Sequence, residues 1–241
     1  MKTKSLLCAI HIAGIAAILS ASATALVAQD FTIHMKMGGG AEGTTYYVSA
    51  NAIRRTTPGG NDVIDRIDRG MIIYLDHGNK VYKEVPAAEA REKIASAFGN
   101  MDAQKKAMLH QMGMDAPAQL TKIGPGEIIA GYPTDKYSLK TGMAQVELWI
   151  TQSLQFPAGY YRDFSLMSGV AGPVGDSGKV AEAHGVVLKR SMTAMMGRNM
   201  SAGGTASATE TAALVEEKPI PASMFEPPTG YQKATSEKGR N

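Results

Sequence analysis

Methionine is the side chain most out of proportion in this sequence, with 15 Met against five Phe and one Trp. Thioethers are soft ligands that select Cu(I). Three stretches space them suggestively: Met35-Lys36-Met37, His110-Gln111-Met112-Gly113-Met114, and residues 192–200 with Met192, Met195 and Met196. Methionine is also the adaptable filler of apolar cores and binding surfaces. Met35 and Met37 continue the apolar side of an alternating strand, and Met108 and Met112 that of a helix. Burial or cavity lining therefore accounts for most of them without a metal. No metal ligands are assigned, and a Cu(I)-binding envelope protein stands as the alternative.

Three further motifs lead away from catalysis. Gly38-Gly39-Gly40-Ala41-Glu42-Gly43 fits G-x-G-x-x-G, but a nucleotide loop must open a helix, whose N-terminus holds the pyrophosphate. β-formers follow here, so the segment is a hairpin turn. Gly175-Asp176-Ser177-Gly178-Lys179 resembles a serine-protease context, yet none of the upstream His34, His77 or His110 stands in a triad-like setting. As a phosphate loop it has Pro173 where the first Gly belongs and Val180 in place of Ser or Thr. Asp62, Asp65 and Asp68 alternate with Arg66 and Arg69 at a spacing too loose for a calcium loop. A solvated strand with cross-strand ion pairs is expected there. No catalytic residue and no cofactor is assigned.

The elements that would position these residues follow from periodicity. Phe31, Ile33, Met35 and Met37 alternate with Thr32, His34 and Lys36, the pattern of a half-buried strand. A hairpin partner follows over 44–49, and Asp76-His77-Gly78-Asn79 joins two further strands at 71–75 and 80–85. Past Pro86 the period becomes helical: Ala90, Ile94, Ala97 and Phe98 share a face. Asn100 can cap a second helix with a Met101, Met108, Leu109, Met112 stripe. Strands resume over 127–130, 136–140, 145–151, 186–196 and 205–218, interrupted by a Gly/Ser-rich excursion over about 167–185. Strands set against a helical segment give an α+β, β-dominated fold.

The N-terminus is a secretory signal in form. A cationic start at Lys2 and Lys4 leads into an apolar run over 6–19 and small residues over 20–25. Cleavage is expected after Ala28, leaving a single domain over 29–241 with a disordered tail over about 233–241. Cys8 falls inside the signal, so the exported chain carries no cysteine, disulfide or thiol nucleophile. Removing Lys2 and Lys4 leaves 23 basic residues against 22 acidic ones, a balance that excludes a nucleic-acid footprint. No second apolar stretch reaches spanning length. A periplasmic or otherwise secreted protein follows.

The stretch Ile220-Pro221-Ala222-Ser223-Met224-Phe225-Glu226-Pro227-Pro228-Thr229-Gly230-Tyr231 resembles the closing motif of bacterial exported proteins in the domain-of-unknown-function family 4412. Segments 128–137, 146–150 and 76–84 resemble its other strands, so the likeness runs from about residue 30 to 231. That family is related in fold to periplasmic lipoprotein-carrier and lipoprotein-sorting proteins. The resemblance implies a curved antiparallel sheet, an open half-barrel, whose concave face is covered by helices and holds acyl chains. It places no carrier functional residue on this sequence.

The residues and the resemblance together lead to a non-enzymatic carrier for a lipid or other apolar ligand. Phe31, Ile33, Met35, Met37, Ile73, Leu75, Val146, Leu148 and Ile150 would line the cavity, and Met108, Leu109 and Met112 would close it. A structural envelope protein, with these residues as a filled core, is the remaining alternative. Protein partners are left open.

Overall fold

The computed structural model describes residues 30–111, 117–140, 144–168, 179–180, 182–194 and 207–234. The expected signal, Met112, Met195, Met196, the Gly175–Gly178 motif and most of the expected tail lie outside these residues.

The first half of the chain is a run of hairpins: β1 (Phe31–Met37), β2 (Glu42–Val48), β3 (Ala52–Thr56), β4 (Asp62–Arg66), β5 (Met71–Asp76) and β6 (Val81–Pro86). The turn after β1 needs positive φ at Gly39 and Gly40, at 90° and 87°. Glycine reaches that region without a Cβ clash. At the β5–β6 turn the Asp76 carboxylate accepts from Asn79 N at 3.0 Å, a side-chain-closed turn.

Helix α1 (Ala87–Gly99) and helix α2 (Ala103–Gln111) follow. Asp102, rather than the expected Asn100, closes the start of α2, its carboxylate accepting from Lys105 N at 2.7 Å. The second half returns as β7 (Gln119–Ile129), β8 (Tyr132–Lys140), β9 (Ala144–Thr151), helix α3 (Ala158–Ser168), β10 (Val186–Ala194) and β11 (Ser207–Glu217). A single 3-10 turn, Ala222–Phe225, and the short β12 (Gln232–Lys233) close the fold.

Strand β7 and helix α3 differ most from the sequence-based expectation. β7 starts at Gln119, eight residues before the expected strand, and carries Pro125. It is an edge strand, where proline's missing N–H costs no ladder bond, and its register shifts on both sides of Pro125. Helix α3 takes up ground read as loop and excursion. Its sequence holds Gly159, Tyr160 and Tyr161, poor helix formers that hide it from propensity.

The described strands form one sheet in the order β12-β6-β5-β4-β3-β2-β1-β11-β10-β9-β8-β7. β12 joins β6 in parallel and the other neighbours are antiparallel. Edges β12 and β7 belong to no common ladder, so the sheet is open. Two meanders thus meet at the β1–β11 pair. The link from β6 to β7 must travel from one side of the sheet to the other, and α1 and α2 lie in that link. The fold is α+β and β-dominated.

Burial is divided among three clusters. The largest joins Phe31, Ile33, Met35, Val48, Ile53 and Ile72 to Ala87 and Ala90 of α1 and Tyr160 of α3. A second gathers Leu139, Leu148 and Ile150 with Ala118, Val180 and Ala183. The third packs Ala52, Ile64, Ile73 and Leu75 against Phe225. The β1–β6 half is therefore covered on both faces, by helices on one and by the C-terminal segment on the other. Among the described residues no helix is long and apolar enough to cross a membrane.

Candidate functional site

Cross-strand register lays out the helix-covered face row by row. One row runs Phe31, Val48, Ile53, Asp65, Ile72 and Val85, each residue paired with the next. Five of the six are apolar and buried; the sixth is a carboxyl. Asp65 is 0% exposed, and neither of its oxygens has a hydrogen-bond partner among the described residues. A buried polar group left without a partner costs about 1–3 kcal/mol, more when charged. The solvated strand expected for Asp62 and Asp65 is thus corrected: β4 is buried along its whole length. The cause is its central place in a sheet covered on both faces.

What lies over Asp65 is equally specific. Asp163 of α3 is also fully buried, but it is well served. Arg91 of α1 donates to its Oδ1, and Arg162 donates to its Oδ2 at 2.9 Å. The Arg91–Asp163 pair joins the two helices to each other. Burial foremost, and the Asp163 charge next, push the Asp65 carboxyl up to about 7, with Arg162 and Arg91 pulling the other way. Burial, and then the Asp65 charge, also raise the Tyr74 hydroxyl on neighbouring β5.

Sequence places α3 this close. A Cβ on Gly159 would stand 2.5 Å from Ile67 Cγ2, so only glycine lets the first turn of α3 settle on the end of β4. Aromatic contacts then fix its foot. Phe156 lies 6.1 Å from Phe31 and 4.0 Å from Tyr160, centroid to centroid. Tyr161 donates its hydroxyl to Gly185 O at 2.6 Å.

A second polar group sits on the adjoining row, Ile33, Tyr46, Arg55, Val63 and Tyr74. Burial raises the hydroxyls of Tyr46 and Tyr160. Arg55 Nε is buried without a partner among the described residues. Glu210, buried on β11, accepts from Thr44 N at 2.8 Å and pairs with Arg190 at 2.7 Å.

The residues expected to line one wall do not share one. Phe31, Ile33 and Met35 stand in the helix-covered cluster, while Met37 is 37% exposed at its strand end. Ile73 and Leu75 belong to the cluster under Phe225, because β5 alternates and turns Ile72 and Tyr74 to the helices instead. Val146, Leu148 and Ile150 pack with Val180 and Ala183 in the remaining cluster. Met108, expected to close the cavity, is 60% exposed. Only the backbone of Leu109 is described, and Met112 lies outside the described residues. Of the Met clusters, Met35 is buried and Met192 exposed. No group of three or more His, Cys, Asp or Glu positioned for a metal exists among the described residues. The polar groups of the seam were missed. A lone Asp in an Asp–Arg alternation carries the signature of an exposed strand.

The opposite face is a clamp built from the C-terminal motif. Phe225 fills the cluster of Ile64, Ile73 and Leu75. Glu226 pairs with Arg66 and, at 2.9 Å, with Arg69. Tyr231 OH lies 2.6 Å from His77 Nδ1, and His77 Nε2 lies 3.2 Å from Asp62. Arg54 donates to the same carboxylate at 2.5 Å and to Met224 O at 3.1 Å. Beside this strap a cleft of about 290 Å³ opens between His34, Tyr47, Glu216, Ile220 and Met224. Its His34–Glu216 pair at 3.3 Å is satisfied, so it presents no unmet group comparable to Asp65.

Among solved structures, PNGF-II in a C2 crystal form aligns with 87% of this chain and 31% of its own at 11% identity, with a TM-score of 0.44. MucB in complex with MucA(peri) aligns with 86% of this chain and 57% of its own at 12% identity, with a TM-score of 0.38. This chain thus spans less than two thirds of either. No curated protein matches it. The family model described as Domain of unknown function (DUF4412) matches residues 30–231, and the chain belongs to that family.

Proposed function

We propose that this is an exported, non-enzymatic carrier-type protein that shelters a lipid or other apolar ligand between helices α1 and α3 and the β1–β6 sheet. In this reading the sheet is a curved half-barrel, the two helices cover its hollow face, and residues 1–28 direct the chain to the periplasm and are removed. The wall is Phe31, Ile33, Met35, Val48, Ile53, Ile72 and Val85. Apolar surface taken from water stabilises a bound chain by about 25 cal/mol per Å².

One observation carries the reading: the seam under the helices is apolar yet leaves buried polar atoms, both Asp65 oxygens and Arg55 Nε, without a partner among the described residues. Most buried polar groups of a permanent core are satisfied, and Asp65 is the carboxyl here with neither oxygen partnered among the described residues. α1 meets the wall through the small side chains of Ala87 and Ala90, and its ion pair runs to α3 rather than to the sheet. The helices are thereby tied to each other as one cover over the seam. The test is native mass spectrometry of protein produced in a bacterial periplasm, followed by solvent extraction. A stoichiometric fatty acid, phospholipid or other apolar adduct is expected. A clean apo mass with an empty extract would overturn the reading in favour of a filled core.

A further inference from the structure

We infer that the α1–α3–β4 seam is a headgroup site for an acidic amphiphile, with the Asp65 carboxyl as its buried hydrogen-bonding floor and Arg91 and Arg162 supplying positive charge at its rim. The inference rests on the carrier reading and specifies the chemistry of its ligand. The charged and titratable groups around Asp65 can be named element by element. Asp163 and Arg162 act from α3, and Arg91 from α1. Tyr74 stands on β5, and on β3 Ile53 is paired with Asp65 while Arg55, on the same face, is paired with Val63 one row along.

Two guanidiniums share the one satisfied carboxylate of Asp163. With Asp65 neutral, the cluster carries a net charge of about +1, a setting that attracts an oxyanion and repels an ammonium group. Both arginines are partly exposed and within reach from solvent, whereas Asp65 is not. An anionic headgroup would lie against the arginine rim and accept the O–H of protonated Asp65, a charge-assisted hydrogen bond. Its alkyl chain would follow the flanking apolar row, Ile53 and Val48 on one side and Ile72 and Val85 on the other. Ionised Asp65 would instead meet the ligand as a second anion. Binding is therefore coupled to uptake of one proton by Asp65. The raised position of that carboxyl, about 7, places the change near neutral pH.

The test uses the exported full chain and three ten-carbon probes whose charge does not vary between pH 5.5 and 8.5: decanesulfonate, decanol and decyltrimethylammonium. Each displaces a fluorescent apolar dye at both pH values. Decanesulfonate is expected to bind roughly thirtyfold more tightly at pH 5.5 than at pH 8.5, the limit for one obligatory proton on a group titrating near 7. Decanol should bind equally at both, and Asp65→Asn should flatten the decanesulfonate profile. A decanesulfonate profile as flat as that of decanol, an unchanged profile in Asp65→Asn, or tighter binding of decyltrimethylammonium would overturn the headgroup assignment and leave the carrier reading standing. Failure of all three probes at both pH values would overturn both.

Discussion

Asp62 and Asp65 stand three residues apart on β4 and face opposite sides of the sheet, and their surroundings differ in kind. Asp62 is 1% exposed and receives Arg54, Thr56 and His77. Asp65 is equally buried and receives no hydrogen bond among the described residues. The Asp62 face is sealed by the C-terminal strap, which brings its own partners: Phe225 for the apolar cluster, Glu226 for Arg66 and Tyr231 for His77. The Asp65 face is closed by helices that satisfy each other. A buried carboxylate clamped through one oxygen by three partners, as Asp62 is through Oδ2, is architecture. One left unpartnered in an apolar wall is a group that awaits something or titrates.

The largest effect is expected at Asp62. Asp62→Ala removes one side of a buried charged network and strands Arg54, so a loss of about 3–5 kcal/mol is expected in urea denaturation. Asp65→Asn should act in the opposite direction. The folded-state carboxyl titrates near 7, against an ordinary value of 3.8. The folded chain therefore holds an extra proton between these values, and stability falls as pH rises through that window. Up to about 4 kcal/mol is lost by pH 8. Asp65→Asn should recover most of it at pH 8 and change little at pH 4; a parallel pH profile for the two proteins would remove the distinction between the faces.

Smaller changes sharpen it. Gly159→Ala drives a Cβ into Ile67 and should cost about 1–3 kcal/mol through overpacking. Hydrogen exchange should quicken in α3 and β4 while the amides around Phe225 stay protected. Glu226→Gln weakens two pairs at a partly exposed site, and a loss of about 1 kcal/mol in the melting transition is expected. A larger loss would mean that the strap depends on charge more than on Phe225.

Much of the scaffold was legible. The alternation of Phe31, Ile33 and Met35, the glycine turn after Met37 and the Asp76–Asn79 hairpin each read from local rules and stand as read. The C-terminal motif was legible as a resemblance, although its role against Arg54, Arg66 and His77 was not. The wall was misassembled at β5, where Met71-Ile72-Ile73-Tyr74-Leu75 is apolar on both faces and gives no sign of which side meets which cover. Met108 was placed over a cavity because a helical stripe says which residues share a face, not what that face touches.

By itself the amino-acid sequence determined the strands, their turns and the β-dominated class, because those depend on φ/ψ preferences and on periods of a few residues. Only the tertiary structure decided that β4 lies between two covers. Burial of Asp65 arises from α3, nearly 100 residues away in sequence and admitted by the missing side chain of Gly159. Whether a carboxyl is solvated, clamped or stranded depends on the dielectric and the donors brought to it from distant segments, which no local pattern records.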